Sequence, residues 1–382
     1  MTSRHGSGSG GARIAPWIIV TIVAAVVVAG AVTAFVLITR DSKETATCSS
    51  QVVLEVVAAP GAGPAIEAAG SAFDATAPVA RSACVTTDVT TASGSETATD
   101  LADGWIGQPS QGPAVWFPDS AADLNTLETA VSAMTAGRNP APMAASPVVL
   151  AVRTADAAAV TAANLQWTDL PGAAGPNGSV ILPEGRELIL ALPDPTANRA
   201  TSYALQSVLA GATSAAIDPT VVAANAGTLA GLDDGGPAAP PATTLDALDD
   251  LASGNAGFTA VPIVAAEFEQ LAEQNPGLST VTLGGNTAGD QIYGVPITAS
   301  WVDPTMDAAA SAFLAYLRGS AGQQVLTEHG LKVAPDTGVQ VADAGSAVAA
   351  ALAAAIGAPA ADAGSGGAVT SSADTSTTVP TS

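Results

Sequence analysis

Hydrophobic and polar positions along the chain switch between two periods. Residues 51–58 (QVVLEVVA) form a β-branched run closed by Pro60-Gly61, which predicts a strand, and residues 64–73 then read as a helix. Residues 84–91 (CVTTDVTT) alternate as a strand does and run into Ser93-Gly94-Ser95, where a serine suits the start of a helix over 96–101. Residues 114–117 (AVWF) predict a short apolar strand ended by Pro118-Asp119-Ser120, with a helix following to about 135. Further strands are expected at 146–152 (SPVVLAV), 187–192 (ELILAL), 258–264, 279–283 and 291–298. The strand at 187–192 leads through Pro193-Asp194-Pro195-Thr196 into a helix with Tyr203 and Leu205, and 233–241 (DDGGPAAPP) reads as a loop. Met306, Ala309, Phe313, Tyr316 and Leu317 recur at helical spacing over 305–318. Strand–helix alternation of this kind argues for a parallel or mixed sheet with helices on its faces.

One apolar run is too long for any of these elements. Residues 14–38 (IAPWIIVTIVAAVVVAGAVTAFVLI) carry no charge, enough to cross a bilayer with some tilt. The run exceeds the core of an ordinary signal peptide, so an anchor over 14–39 is expected, with cleavage after 30–34 (GAVTA) as the alternative. Before it lies a Gly/Ser-rich leader, 1–13, read as disordered and cytoplasmic, and after it a polar stalk, 40–47. The leader's Gly6-x-Gly8-x-x-Gly11 has neither the strand nor the helix of a dinucleotide site. The two cysteines, Cys48 and Cys84, both follow the run; as the chain's only thiols in a segment expected to be translocated, they are predicted to form one disulfide. The globular part is therefore placed outside the cell, on a single-pass anchor in the cell membrane. From 336 to 382 Pro, Gly, Ser and Ala dominate, which reads as a low-complexity, disordered tail with at most a short Ala-rich helix at 347–356.

Composition narrows the function. A formal charge of −23 with only 11 Lys and Arg leaves no basic cluster to neutralise phosphates, so nucleic acid is not an expected partner. Enzyme readings lack parts. The two histidines are His5, in the leader, and His329, which has no Gly-x-Ser-x-Gly nucleophile to serve. With the cysteines paired, no His/Cys metal site is expected, no P-loop is present, and no cofactor is implied. Asp233-Asp234 and Asp249-Asp250 read as loop or solvated-face carboxylates. Three strand ends, by contrast, empty into turns rich in small donors: Ala59-Pro60-Gly61, Thr91 to Ser95, and Pro118-Asp119-Ser120. In an open α/β sheet ligands sit beyond the carboxyl ends of strands, where helix N-termini offer free N–H groups. The serines there are either helix caps or ligand contacts.

Several stretches resemble a known family. "TASGSETATDLADG", "AVWFPDS", "SPVVLAV", "ALPDPTANRATSYALQSVLAG" and "FLAYLRGSAGQQVLTEHGL" occur in the order seen in type 2 extracellular solute-binding proteins of ABC transporters, nearest the molybdate-binding branch. The chain is also similar to the solute-binding part of membrane-anchored actinobacterial proteins that carry a von Willebrand A domain, although no Asp-x-Ser-x-Ser metal motif is present. The resemblance implies a two-lobed, type 2 periplasmic-binding-protein-like α/β fold with mixed sheets, preceded by one transmembrane helix. Lobe one would comprise 48–144 and 290–335, and lobe two 145–289. It implies a cleft in which Pro60, Ser93, Gly94, Ser95 and Ser120 face Thr201, Ser202 and Tyr203. These would offer neutral hydrogen bonds and one aromatic wall to an oxyanion or other small polar solute, delivered to an ABC permease, with no catalytic residue. The alternatives are a cell-envelope interaction protein that keeps the fold without a solute, and an enzyme that uses carboxylates in the same cleft. Phe313, Tyr316 and Leu317 would be core contacts of a returning helix.

Overall fold

Two mixed sheets and the helices on their faces carry the chain. The computed structural model describes residues 48–357 apart from 109–110, 136–141, 177, 212–215, 255 and 335–337. Strands β1 (Ser50–Ala58), β2 (Val79–Ala80), β3 (Ala83–Thr91) and β4 (Val115–Phe117) belong to the first sheet. Strands β5 (Ala144–Arg153), β6 (Ala260–Val264), β7 (Leu278–Val281) and β8 (Gly289–Ile292) build the second. β9 (Val295–Pro296) returns to the first sheet, giving the order β2-β3-β1-β4-β9, and β10 (Lys332–Val333) pairs with β5. β1 runs parallel to β3 and β4, so the turns after all three open at one edge, while β2 and β9 are antiparallel.

β4, β5 and β6 are buried on both faces, which explains their continuous apolar runs, whereas β3 alternates and the start of β1 is exposed. In the first sheet Leu54, Val56, Ala58, Val115 and Phe117 face the helices Gly63–Asp74 and Pro304–Arg318, whereas Val57 and Trp116 face Gly94–Ala102 and Ala121–Val131. In β5 the same alternation sends Val148, Leu150 and Val152 to one core and Val149 and Ala151 to the other. The first residues of β5, 144–147, pair with β8, and the later ones pair with β6 and β7. β5 and β8 thus cross between the lobes side by side.

The aromatic cluster near the end is structural, as its spacing implies. Asp303 caps the helix Pro304–Arg318 by accepting from Thr305 N (2.6 Å) and Met306 N (2.9 Å). Phe313 packs on Phe73 at 5.3 Å and on Phe117 at 6.1 Å, and Tyr316 lies 5.4 Å from Phe73. Gly319 ends this helix and caps the next, Ser320–Glu328. The disulfide joins Cys48 to Cys84 with Cα atoms 5.4 Å apart, tying the start of β1 to β3. Closing a loop of 36 residues constrains the unfolded chain by about 3–4 kcal/mol.

Three sequence expectations change. Residues 187–192 do not form a regular strand: Glu187 bridges Ile181 and Leu190 bridges Ala260 as isolated pairs. The Thr259 hydroxyl accepts from Ile189 N at 2.8 Å, taking a place that a ladder carbonyl would fill. The stretch 291–298 is divided into β8 and β9, because Gly294 is wedged against Leu314, Met143 and Phe117. The tail expected to be disordered carries the short helix allowed at 347–356, Ser346–Ile356, as part of the fold, with Val348, Leu352, Ala355 and Ile356 buried in the core of the second lobe. Residues 340–341 fix its approach, with Gln340 N and Val341 N donating to Thr287 O. The rest of the tail, 358–382, and the leader, anchor and stalk expected over 1–47 lie outside the described residues. No described helix is long and apolar enough to cross a membrane.

Candidate functional site

The turns after β1, β3 and β4 face the helix Arg199–Ala210 of the second lobe across a cavity of about 770 Å³. Six of the eight expected residues line it: Pro60, Ser93, Ser95 and Ser120 from the first lobe, Ser202 and Tyr203 from the second. Gly94 and Thr201 are buried and do not. Gly94 instead makes room, since a Cβ at that position would run into the carboxylate of Asp123. Thr201 misses the cavity because a helix turns about 100° per residue: Arg199, Ser202 and Tyr203 share one face at i, i+3 and i+4, and Thr201 falls on another.

The serines divide between capping and the cleft. Ser93 precedes the helix Gly94–Ala102 but makes no side-chain cap; its hydroxyl lies 3.1 Å from that of Ser95. Ser120 does both jobs. Its Oγ accepts from Ala122 N at 3.0 Å, and the hydroxyl donates to Asp343 Oδ2 at 2.9 Å.

Five charged residues stand in the wall: Asp119, Asp123, Arg199, Glu267 and Asp343. Arg199 Nη1 contacts Asp119 Oδ2 at 2.5 Å, joining the lobes, and Arg199 Nη2 lies 3.3 Å from Asp290 Oδ2 on β8. Asn198 sets this geometry: its Nδ2 donates to Asp194 O and Ala242 O, and its Oδ1 accepts from Thr244 N. Asp290 is fully buried, with Arg199 as its countercharge. Burial pushes its pKa up to about 7; Arg199 and Tyr203 act against that rise, while Asp119 and Glu267 add to it. For Arg199, burial opposes the charge, but Asp290 and Asp119 outweigh it and raise its pKa. Asp123 is raised to about 6, by burial first and then by Asp119 and Asp343. Burial, followed by the charges of Asp290, Asp343 and Asp119, drives Tyr203 well above the ordinary phenol value, so it stays neutral.

A third segment completes the wall. Asp343, Gly345, Ser346 and Ala349 line the cavity from the C-terminal segment. Asp343 Oδ1 accepts from Gln206 Nε2 (3.3 Å) and Gly345 N (3.2 Å), and Gln206 also donates to Ser202 Oγ at 3.0 Å. Sequence reasoning overlooked Arg199, Asp119, Asp123, Asp290 and Asp343. Arg199 was legible from its spacing to Ser202 and Tyr203. Asp343 carries no local signal, because it stands in a low-complexity stretch.

The geometry is that of a cleft between the lobes. Among the described residues no three His, Cys, Asp or Glu side chains converge to hold a metal ion. The structure resembles several solved proteins. The sulfate-binding protein SubI from Mycobacterium tuberculosis is 17% identical, over 81% of this chain and 93% of that chain, with a TM-score of 0.50. The substrate-binding domain of a putative molybdenum ABC transporter from Clostridium difficile is 15% identical, over 74% and 99%, also at 0.50. Iron-bound HitA from Pseudomonas aeruginosa is 13% identical, over 80% and 100%, again at 0.50. At such identities the likeness is one of fold, the two-lobed α/β fold expected from the sequence. No curated protein sequence matches the chain. Residues 54–332, well over half of its length, match the family described as bacterial extracellular solute-binding protein, and the chain belongs to that family.

Proposed function

We propose that this protein is a membrane-anchored extracellular binding protein that captures a small polar solute between its lobes and presents it to an ABC-type permease. The observation that carries this reading is the cavity of about 770 Å³ walled from both lobes at the carboxyl ends of β1, β3 and β4. A cleft of that size suits a small ligand. Its walls are joined across the gap by Arg199–Asp119 and Ser120–Asp343. The crossing strands β5 and β8 are the proposed hinge, about which the lobes would close on the solute. Anchoring rests on the uncharged run 14–38, and the extracellular side on the disulfide.

The test is a thermal-shift series on the full-length chain in detergent, with oxyanions, amines, sugars and amino acids. A solute at 100 times its dissociation constant adds about 2.7 kcal/mol of stability, which a melting curve resolves. Silence across the series counts against solute capture and favours an envelope protein that only keeps the fold.

A further inference from the structure

The segment that follows β10 is fastened to one lobe and reaches across to the other. Gln340 N and Val341 N donate to Thr287 O, Thr287 N donates to Gln340 Oε1 at 3.0 Å, and Val341 bridges Ala288 just ahead of β8. The helix Ser346–Ile356 then packs into the second lobe through Val348, Leu352, Ala355 and Ile356. Between these two attachments the chain turns into the cleft. Gly345 takes φ +80°, which L side chains rarely adopt, and a Cβ there would stand 3.1 Å from that of Ala122 on the first-lobe helix Ala121–Val131. At this turn Asp343 accepts from both lobes: from Gln206 Nε2 (3.3 Å) in the second and from the Ser120 hydroxyl (2.9 Å) in the first. Two bonds of 3.2 Å hold the turn itself, from Gly345 N to Asp343 Oδ1 and from Ala344 N to Gln206 Oε1.

From this geometry we infer that residues 339–357 are a clasp, fixed to the second lobe and holding the cleft closed by gripping the first lobe at Ser120 through Asp343. The inference rests on the reading of β5 and β8 as a hinge and is independent of which solute the cleft takes. The grip lies at the cavity, which Asp343, Gly345 and Ser346 line together with Ser120 and Ala122. Its acceptor is a carboxylate, and such a charge-assisted bond is stronger than one between neutral groups. The two ends of the clasp are unequal. Four buried apolar side chains and a pair of backbone bonds hold it to the second lobe, against one hydroxyl on the first. When the lobes part, the Ser120 contact is therefore the one that yields, and the segment travels with the second lobe. Asp343 lies beyond residues 54–332, so the family match does not account for it. Arg199–Asp119 bridges the same gap from a different element, so the clasp acts beside it.

Lobe separation is measured on the full-length chain by electron–electron resonance between two nitroxides, carried on non-natural residues so that the disulfide stays intact. They replace Thr129 on the first lobe and Asp249 on the second, both exposed. The expected result is a narrow distance distribution for the intact clasp and a shift to longer distances in Asp343→Ala. Ser120→Ala should give the same shift, and the two together no more than either alone, because both break one contact. Ser120→Ala carries the test if Asp343→Ala fails to fold. A distribution that superimposes on that of the intact clasp overturns the inference. A shift in Asp343→Ala without one in Ser120→Ala overturns it as well, since the grip would then lie elsewhere. Arg199→Gln separates clasp from hinge. If it lengthens the distance and Asp343→Ala does not, the lobes move but the clasp does not hold them. If neither variant moves the labels, the hinge reading falls with the clasp.

Discussion

At the scale of single residues, the chain places its scarce cations against buried carboxylates. Asp156 is fully buried, with Arg186 Nη2 at 2.5 Å from Oδ1, Arg186 Nη1 at 3.0 Å from Oδ2, and Arg153 Nε at 3.3 Å. Burial would raise the pKa of Asp156, but hydrogen bonds from Arg186 and Arg153 prevail and lower it. Asp123 is the opposite case, with no cation beside it, facing Asp119 and Asp343. Its folded value of about 6 stands above the ordinary 3.8, so between those values the folded form keeps a proton that the unfolded form loses. The stability this contributes is present below about pH 4 and is lost as pH rises through 6. Asp123→Asn should therefore stabilise the protein near pH 7.5 by about 1–2 kcal/mol, because the group is only partly shielded from water. Urea unfolding of both proteins at pH 4 and 7.5 checks this, and an equal difference at the two values would refute it. None of this was legible beforehand. Which carboxylates share a cleft depends on the packing of segments more than 200 residues apart.

At the scale of elements, local pattern carried most of the information. β1, β3 and β5 and the helices Gly63–Asp74 and Pro304–Arg318 lie within two residues of their expected bounds. Their periodicity is strong because each presents at least one face to a core. The run at 187–192 misled because burial and strand pairing are separate properties: Leu188, Leu190 and Leu192 are buried in the core, yet Thr259 interrupts the ladder. The helix Ser346–Ile356 matches the short Ala-rich helix expected at 347–356, but nothing in its sequence pointed to a packing partner. Packing of Val348, Leu352, Ala355 and Ile356 on the second lobe gives it a partner. Leu352→Ala should cost about 2–4 kcal/mol, the usual loss for a fully buried leucine. A urea midpoint that does not move would show that the helix is dispensable to the fold.

At the scale of the whole molecule, Arg199 matters most, because one side chain joins the lobes through Asp119 and neutralises Asp290 at their crossing. Arg199→Gln should leave two carboxylates without their countercharge, lower stability by about 3 kcal/mol and let the lobes part. Small-angle scattering should then give a larger radius of gyration than the wild-type chain; an unchanged radius would mean that the bridge does not hold the lobes. The sequence by itself determined the alternating α/β architecture, the cysteine pair and the family resemblance, since each is written in short-range spacing and composition. It also brought six of the eight expected residues to the cleft, because strand ends and helix starts are local features. Only the tertiary structure decided the character of that cleft. Net charge at a site is a sum over residues from three separate segments, and Asp119, Asp290 and Asp343 meet Arg199 and Ser120 only once both lobes and the C-terminal helix have packed.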